Sequence, residues 1–370
     1  MCIATLEEAD NHPAECAIRD TVYLSMPTVL FVGGGSLGHI APSVAVARAL
    51  GECSPDIHPL FVVSTRPEDR TFVEQAGYRV IAFDAPRLSW RFPWKFLRAL
   101  RAARRLLLQE RPALIFSKGG FVSVPICLAA KRLHIPIILH ESDAVSGWAN
   151  WLISRWALKI CLGFEGSMRS IKAVTTGTPV RADIVQGSRQ RGLSIAGLSR
   201  MRPILIVLGG SQGALAINRA VATHLSDLLE CCEIIHLTGK GKGTVIGSIP
   251  GYWQCEFAAE EYPHLLAAAD LALSRSGSTL GELAAIGLPA ILVPLDGAAH
   301  DHQRRNAEVA VRTGGCILLD QRHLSSALVS SVRHLIEAPE SRRVMGNAIR
   351  ALHRPDAARQ IAGVIAQTLA

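Results

Sequence analysis

The sequence predicts an α/β protein with two doubly wound domains that face a central cleft. Two glycine-rich loops carry this prediction, at residues 33–38 and 209–214, and each follows an apolar run and precedes a helical pattern. A strand, loop and helix in this order present backbone N–H groups and the positive end of a helix dipole to an anion, usually a phosphate. The 370 residues exceed one ordinary core and fit two domains of typical size.

Residues 26–185 are predicted to form the first domain, because apolar runs of buried parallel-strand type alternate there with helical stretches. The runs that predict strands are residues 29–32, 60–63, 114–116 and 135–139. Residues 42–50 predict the helix that follows the first loop. This alternation is typical of a doubly wound sheet.

A second series of alternating strands and helices is predicted over residues 203–355, after a linker at residues 186–202 that is rich in Gly, Ser and Arg. Its strands are predicted at residues 204–208, 234–237, 271–273 and 290–293. The last helix, residues 356–370, is predicted to return to the first domain. Residues 1–25 lack clear periodicity and predict an N-terminal tail or an upstream start codon. Their acidic residues do not fit a secretory signal.

The composition predicts an acidic partner and a reducing compartment. The net charge of +8 favours nucleic acid, anionic lipid or a phosphorylated substrate. Nine cysteines occur without a CxxC pair, which indicates neither a zinc site nor a disulfide framework. No window offers the roughly 18 uninterrupted apolar residues of a transmembrane helix.

The first loop matches the GxGxxG pattern of dinucleotide-binding domains through Gly33, Gly35 and Gly38. The acidic residue expected after the second strand is missing, and Ser64-Thr65-Arg66 occupies that place. Because an arginine there suits a 2′-phosphate, an NADP-dependent oxidoreductase is one alternative. A dehydrogenase has no need of the second loop, whereas a sugar-nucleotide enzyme with two facing domains uses both.

The segment 274–289 lies between two predicted strands and predicts a loop followed by a short helix. Ser276, Ser278 and Thr279 can offer hydroxyls and free N–H groups to a diphosphate. Glu282 lies about one turn into the helix, where it can accept two hydrogen bonds from a ribose diol. The alternative is an ordinary helix cap followed by a charged helix residue.

Taken together, these segments resemble the MurG family of bacterial cell-wall enzymes, which are GT-B glycosyltransferases with two Rossmann-like domains. The resemblance covers about residues 28–370. Its motifs occur in family order at residues 34–42, 118–123, 140–141, 177–181, 209–214, 275–287 and 302–307. It implies inverting transfer of GlcNAc from UDP-GlcNAc to the lipid-linked MurNAc-pentapeptide of peptidoglycan synthesis, lipid I, which becomes lipid II. It also implies an acceptor domain at residues 26–185, completed by residues 356–370, and a donor domain at residues 203–355.

The resemblance also implies which residues contact the substrates. Ser36, Leu37 and Gly38 line the loop for the acceptor diphosphate, and His39 is the candidate general base or an acceptor contact. The remaining substrate contacts that it implies are Asp143, Arg181, Ser211, Gln212, Ala258, Ser276, Ser278, Thr279, Leu280, Gly281, Glu282 and Gln303. Among these, Arg181 and Ser211 face the donor, Glu282 holds the uridine ribose, Gln303 reads the GlcNAc hydroxyls, and the backbone near Ala258 pairs with uracil.

Glu141 is a second catalytic candidate, because His140-Glu141 follows a buried strand at the carboxyl edge of the sheet, where ligands of α/β proteins bind. The alternative is a polar pair that fixes a loop at the end of the strand. Two residues depart from the family pattern, Leu37 in place of glycine and Asp143 in place of asparagine. A carboxylate at Asp143 could serve as a base or could repel a diphosphate.

Inverting transfer needs a base for the acceptor hydroxyl and positive groups for the departing UDP. No Asp-x-Asp occurs in the sequence, so we expect no metal and no other cofactor. Stabilisation of UDP would then fall to helix N-termini, Ser211, the hydroxyls near Ser276, and Arg181.

Residues 87–105 alternate tryptophan and phenylalanine with arginine and lysine. Aromatic rings favour the headgroup layer of a membrane, and each basic residue near an anionic surface contributes about 1 kcal/mol. We therefore expect peripheral binding to an anionic membrane, at the cytoplasmic face of the bacterial inner membrane, and no nucleic-acid partner. A solvated basic helix is the alternative. For the whole chain, a GT-B sugar-nucleotide epimerase and a non-catalytic UDP-sugar-binding protein also stay open.

Overall fold

The computed structural model describes residues 26–86, 92–199, 201–210, 213–243, 247–297 and 301–370. These residues form two parallel sheets, each flanked by helices, which confirms the predicted fold class. The tail predicted at residues 1–25 lies outside the described residues.

The first sheet has seven parallel strands in the order β3-β2-β1-β4-β5-β6-β7. Its strands are β1 (Thr28–Val32), β2 (His58–Val63), β3 (Arg79–Ala82), β4 (Leu114–Ser117), β5 (Ile137–Glu141), β6 (Lys159–Leu162) and β7 (Ala173–Thr175). Its helices are α1 (Leu37–Cys53), α2 (Pro67–Gln75), α3 (Phe92–Glu110), α4 (Ser123–Arg132) and α5 (Trp148–Ser154). Helix α1 begins five residues before the predicted start and keeps Pro42 within it.

The second sheet has six parallel strands in the order β10-β9-β8-β11-β12-β13. Its strands are β8 (Ile204–Leu208), β9 (Glu233–Leu237), β10 (Tyr252–Cys255), β11 (Leu271–Ser274), β12 (Ala290–Leu292) and β13 (Cys316–Leu318). The helices of this half are α6 (Arg189–Ala196), α7 (Leu215–Thr223), α8 (Leu225–Cys231), α9 (Tyr262–Ala268), α10 (Thr279–Ile286), α11 (His302–Arg312), α12 (Leu324–Ile336) and α13 (Pro339–Ile349). Short 3₁₀ turns occur at Ala182–Gln186, Gln321–His323 and Arg350–Leu352.

The last helix, α14 (Ala357–Leu369), packs on the first sheet although the chain reaches it from the second. Its apolar residues Ile361, Ala362 and Ile365 are buried in the same core cluster as β1 and α1. Burial of one apolar stripe of an amphipathic helix explains this return.

The segment predicted as a linker contains helix α6, and two of its glycines allow it to pack closely against α9. A Cβ atom on Gly187 or Gly192 would collide with the carbonyl oxygens of Pro263 and His264, so the backbone of this segment lies directly against the start of α9. Ser188 caps α6 by accepting a hydrogen bond from the N–H of Arg191.

Within the described residues, no helix is long and apolar enough to span a membrane.

Candidate active site

A cleft between the two sheets gathers residues from both glycine-rich loops and from the segment after β11. From the predicted substrate contacts it brings together Leu37, Gly38, Arg181, Ala258, Ser278, Thr279 and Glu282. It also contains residues that the sequence did not single out, among them Phe72, Phe257 and Tyr262. Ser211 and Gln212 lie outside the described residues, and the neighbouring Gly209 and Gly210 line the cleft.

Two charged side chains hold the first glycine loop. The carboxylate of Asp69 accepts hydrogen bonds from the Gly35 N–H at 2.8 Å and from the Ser64 hydroxyl at 2.6 Å. The Arg66 guanidinium donates to the Gly35 carbonyl at 2.6 Å. Ser64 and Arg66 therefore support the loop, which does not favour the 2′-phosphate site of an NADP enzyme.

Helix α1 begins directly after this loop, with Ser36 at its N-cap. The first N–H groups of a helix have no carbonyl partner within it. The Ser36 side chain makes no capping hydrogen bond, and the first turn contains no acidic residue. Leu37 and Gly38 line the cleft, so the positive end of the helix dipole and these N–H groups lie at its wall, as an anion site requires.

His39 lies in the first turn of α1, half-buried, with its Nδ1 atom 3.4 Å from the carbonyl oxygen of Lys118. A carbonyl can only accept, so Nδ1 carries the proton and Nε2 keeps its lone pair. Burial, followed by the charge of Lys118, lowers the pKa of His39 below its ordinary value. A neutral imidazole is the form that a general base requires, and His39 directly follows Leu37 and Gly38, which line the cleft.

Lys118 lies next to His39, although the sequence analysis included it only in the motif at residues 118–123 and predicted no role for it. Its side chain is buried, and its ammonium has no hydrogen-bond partner among the described residues. Burial lowers its pKa to about 8, against the opposing effect of Glu141 and Asp143. The base of this side chain packs against the first loop, since a Cβ on Gly33 would lie 3.2 Å from the Lys118 Cβ.

Glu141, at the end of β5, uses both carboxylate oxygens to hold the loop that follows. Oε1 accepts from the Asp143 N–H at 3.0 Å, and Oε2 accepts from the Gly147 N–H at 3.2 Å and the Asn150 amide at 2.9 Å. Burial and the charge of Asp143 raise the pKa of Glu141. These contacts show that Glu141 holds this loop, and a direct role in catalysis stays a prediction.

Asp143 joins the two halves of the molecule across the cleft. Its carboxylate accepts a hydrogen bond from the Asn306 amide at 2.8 Å, and the Asn306 oxygen accepts from the Ala144 N–H at 2.7 Å. The same amide donates to the Ser276 carbonyl at 3.0 Å. Asn306 is buried, so one side chain ties the loop after β5 to the loop after β11.

On the opposite wall, helix α10 directs its N-terminus and Glu282 into the cleft. Ser278 is the N-cap, and Thr279 opens the helix. Leu280 is buried in the core of the second sheet, and a Cβ on Gly281 would lie 3.6 Å from Val180. These two residues can therefore serve a ligand only through their backbone.

Glu282 is half-buried and accepts a hydrogen bond from the Tyr262 hydroxyl at 2.8 Å. Burial raises the pKa of Glu282, whereas the Tyr262 hydrogen bond and the Arg181 charge oppose that rise. One carboxylate oxygen stays open towards the cleft, which matches the predicted ribose contact.

Arg181 enters the cleft from the loop after β7. Its guanidinium lies 3.3 Å from the Asp183 carboxylate and over the Phe72 ring, and only 15% of the side chain is exposed. Its Nε is buried without a hydrogen-bond partner among the described residues. A buried guanidinium with an unused donor suits a diphosphate.

Ser276 and Gln303 contact each other rather than the open cleft. The Ser276 hydroxyl donates to the Gln303 carbonyl at 2.7 Å, and the Gln303 side-chain oxygen accepts from the Leu295 N–H at 2.9 Å. The amide nitrogen of Gln303 is the group that the predicted sugar contact would use. Ala258 is buried and lines the cleft, where its backbone can face a base.

No cluster of three or more potential metal ligands occurs in the part of the chain that the structure describes. The absence of a metal requirement stays a prediction.

The chain matches a known enzyme family over most of its length. Residues 29–162 match the glycosyltransferase family 28 N-terminal domain, and residues 204–361 match the C-terminal domain of the same family. The chain is similar to a protein of Lachnoclostridium phytofermentans named UDP-N-acetylglucosamine--N-acetylmuramyl-(pentapeptide) pyrophosphoryl-undecaprenol N-acetylglucosamine transferase, with 36% identity over 92% of this chain and 98% of the relative. A protein of the same name from Shouchella clausii is 37% identical over 81% of this chain and 88% of the relative.

Solved structures share the fold. MurG of Acinetobacter baumannii has a TM-score of 0.68 and 22% identity, covering 92% of this chain and 99% of that one. The UDP-GlcNAc 2-epimerase of Neisseria meningitidis, bound to UDP-GlcNAc, has a TM-score of 0.71 and 15% identity, covering 92% and 100%. These structures show the fold, while the sequence matches show the family and confirm the resemblance inferred from the motifs. The chain therefore belongs to the MurG family within glycosyltransferase family 28, and it is a hexosyltransferase of the GT-B fold.

Proposed function

We propose that this chain transfers GlcNAc from UDP-GlcNAc to the lipid-linked MurNAc-pentapeptide, converting lipid I to lipid II in peptidoglycan synthesis. The observation that carries the proposal is the 36% identity over 98% of a relative named for this transfer. The cleft supports it, because an anion site on α1 faces a second helix N-terminus and a carboxylate on α10.

The chemistry follows from the two walls of the cleft. The Nε2 atom of His39 takes the proton of the acceptor hydroxyl as its oxygen attacks the anomeric carbon of GlcNAc. The bond from that carbon to the UDP oxygen breaks, and its electron pair leaves with UDP, so the configuration inverts. The Arg181 guanidinium and the N-terminus of α10 stabilise the negative charge of the departing diphosphate.

The acceptor would place its diphosphate against Leu37 and Gly38, on the loop that the buried Lys118 side chain packs against. A buried cation near a water-poor site raises the potential at a bound anion more than a solvated one does. The carboxylates of Asp143 and Glu141 accept hydrogen bonds from Asn306 and from the loop after β5, and these donors offset part of the negative charge near that diphosphate.

The decisive experiment uses purified full-length protein with UDP-GlcNAc and a synthetic lipid-linked MurNAc-pentapeptide, with and without EDTA. We expect UDP release and a product heavier by one GlcNAc, at equal rates in both. If EDTA abolished transfer and Mg²⁺ restored it, the expectation that no metal is needed would be wrong, and the proposed transfer would stand. Donor binding without transfer would favour a binding protein, and conversion of UDP-GlcNAc to its epimer without acceptor would favour an epimerase.

The transferase is favoured over the epimerase because identity to the named transferases is 36%, against 15% to the epimerase structure. The support that Arg66 and Asp69 give to the first loop does not favour the NADP-dependent oxidoreductase.

We also propose peripheral binding to an anionic membrane through the first domain, at the cytoplasmic face of the inner membrane. Helix α3 exposes Trp94, 79% accessible, together with Leu97. Five basic residues on the same helix are exposed, namely Lys95, Arg98, Arg101, Arg104 and Arg105. Residues 87–91 of the predicted patch lie outside the described residues.

Helix α5 extends this surface. Trp148 and Trp151 are exposed by 63% and 47%, with ring centroids 5.5 Å apart, and the Arg155 guanidinium lies 3.6 Å above the Trp151 ring. Helix α4 packs between α3 and α5, so the aromatic residues of both lie on one side of the first sheet. Aromatic and basic side chains together suit the headgroup layer, where a lipid-linked acceptor is held.

A further inference from the structure

Tyr262 lines the cleft but belongs to none of the motifs that predict the site. It opens helix α9, and its ring packs against the core of the second sheet. Its hydroxyl donates to Glu282 Oε2 at 2.8 Å, from one helix N-terminus to the next. Both residues line the cleft, so this hydrogen bond lies at the surface that a ligand would contact and not inside the core.

The contact decides how the Glu282 carboxylate can serve a ligand. An ionised carboxylate only accepts hydrogen bonds, and its two oxygens act in one plane. With Oε2 held by Tyr262, rotation of the carboxylate is restricted, and Oε1 is the oxygen left for a ligand. Burial favours the protonated acid, which the phenol opposes by donating to the anion.

The side chain opposite strengthens this assignment. The Arg181 charge acts on both Glu282 and Tyr262, and it favours the ionised carboxylate. Asp183, paired with Arg181, acts in the other direction on Glu282. The phenol is therefore the neutral group that fixes the geometry of the carboxylate, while Arg181 makes no hydrogen bond to Glu282 and keeps its Nε available for a diphosphate.

We propose that Tyr262 is a positioning residue that holds Glu282 as the acceptor for the ribose hydroxyls of the donor nucleotide, and so makes the cleft selective for ribonucleotides. The inference rests on the proposed function, because it takes the occupant of this wall to be a uridine diphosphate sugar. Tyr262 acts through Glu282 and makes no contact with the reacting atoms.

The test compares UDP with 2′-deoxy-UDP by isothermal titration calorimetry at neutral pH. We expect the wild-type protein to bind UDP more tightly than 2′-deoxy-UDP. In Tyr262→Phe the ratio of the two dissociation constants should fall by roughly tenfold, the scale of one hydrogen bond to a charged group. Glu282→Ala should remove the preference entirely. In turnover assays, Tyr262→Phe should raise the KM for UDP-GlcNAc and leave the KM for the acceptor unchanged.

Tyr252→Phe is the matched control, because it removes a phenol of the same half of the molecule that bonds His236 and does not line the cleft. It should keep the full preference for UDP. The pH dependence is a second readout. Because the Tyr262 hydrogen bond lowers the pKa of Glu282, Tyr262→Phe should raise that pKa. As the pH is lowered, the variant should therefore lose its remaining preference for UDP at a higher pH than the wild type does.

The outcomes separate the inference from the function on which it rests. Full preference for UDP in Tyr262→Phe, with the preference lost in Glu282→Ala, would overturn the role of Tyr262 and leave the ribose contact in place. Unchanged preference in Glu282→Ala would overturn the inference at its basis. A wild-type protein that binds no UDP would overturn the proposed function itself.

Discussion

The two ring nitrogens of His39 have different tasks. Nδ1 donates to the Lys118 carbonyl, which leaves Nε2 as the nitrogen that can accept a proton. Burial and then the charge of the Lys118 side chain lower the pKa of His39, whereas Asp143 and Asp69 raise it. The balance of these charges sets the pH at which His39 becomes a base.

We predict that Lys118→Met raises the pH at which transfer begins. Methionine keeps the length of the side chain and removes the charge that lowers the pKa of His39. The imidazole then stays protonated to a higher pH, so the acidic limb of the profile of kcat/KM, which reports the free enzyme, moves upward. Profiles of wild type and variant between about pH 5 and 9 measure this shift.

Asp143→Asn is the opposing control, because the Asp143 charge raises the pKa of His39. Its acidic limb should move to lower pH. Limbs that stay at the wild-type position in both variants would show that His39 is not the group that titrates.

We predict that Arg181→Ala reduces turnover far more than folding stability. Loss of one donor to the departing diphosphate costs about 3 kcal/mol of transition-state stabilisation, on the order of a hundredfold in kcat/KM. Among the described residues, Arg181 makes one salt bridge, to the partly exposed Asp183, and lies over the Phe72 ring, so we expect its loss to cost less stability than the roughly 3 kcal/mol lost from the transition state. Kinetics and thermal denaturation of the same preparation measure both quantities.

Arg189→Ala is the matched control for Arg181, because Arg189 pairs with Asp270 at 2.9 Å and does not line the cleft. It should leave kcat/KM near the wild-type value. A loss of stability in Arg181→Ala as large as its loss of activity would refute the donor role.

At the scale of elements, the hydrophobic pattern predicted most central strands but missed the four edge strands and also β6, a short inner strand that begins with the exposed Lys159. Strand β8 occurs at the predicted residues, because five consecutive apolar residues are buried on both faces of the sheet. Strands β3, β7, β10 and β13 lie at sheet edges, where half-exposed residues break the apolar run. Position within a sheet depends on pairing with distant strands, which no local pattern contains.

The glycines of the predicted linker show a second limit of local pattern. Glycine marks both flexible loops and close backbone approaches, and only the partner distinguishes them. At Gly192 the partner is the carbonyl of His264, 72 residues further along the chain. The sequence therefore could not show that α6 packs against α9.

We predict that Gly192→Ala destabilises the protein by about 1–3 kcal/mol, because the added methyl group collides with the His264 carbonyl and forces the two helices apart. Urea denaturation measures the change in the free energy of unfolding. Gly363→Ala in α14 is the control, since a Cβ there meets open space and alanine favours a helix by about 1 kcal/mol. Equal effects of the two substitutions would contradict close packing at Gly192.

We predict that Trp94→Ala weakens binding to anionic vesicles. An exposed tryptophan on α3 inserts its ring at the headgroup layer, and its loss removes that apolar contribution. Sedimentation with vesicles of phosphatidylglycerol and phosphatidylcholine measures the bound fraction, and neutral vesicles test the contribution of charge. Val344→Ala, an exposed apolar residue of α13 in the other domain, should bind as wild type. Equal binding of all three proteins would refute α3 as the membrane surface.

At the scale of the whole molecule, motifs located the two walls of the cleft but not the contacts that join them. The bond between Asp143 and Asn306 connects residues 163 positions apart, and Tyr262 reaches Glu282 across 20. Motifs identify residues one at a time, so Asp143 was predicted as a substrate contact. The fold joins its carboxylate to Asn306 in the second half of the chain, a contact that the motif did not predict, and its contact with substrate stays a prediction.

We predict that Gly38→Ala lowers turnover without lowering stability, because Gly38 lies at the point where the two walls meet. A Cβ at Gly38 would lie 2.5 Å from the Ser278 Oγ and 3.1 Å from its Cβ, so the first turns of α1 and α10 would be forced apart. Alanine within α1 favours the helix itself. We expect kcat/KM to fall by about tenfold, equivalent to about 1.4 kcal/mol of transition-state stabilisation, while the unfolding midpoint stays at or above that of wild type.

Ser278→Gly tests whether this loss arises from the contact between the walls. It removes both atoms that the new methyl group would meet, so Gly38→Ala should cost much less in the Ser278→Gly background than in wild type, giving a coupling energy in a double-mutant cycle. If the two effects simply add, Gly38 acts within the acceptor loop alone. Coupling instead means that turnover depends on how closely α1 and α10 approach, and hence that the contact between the domains is part of the catalytic geometry.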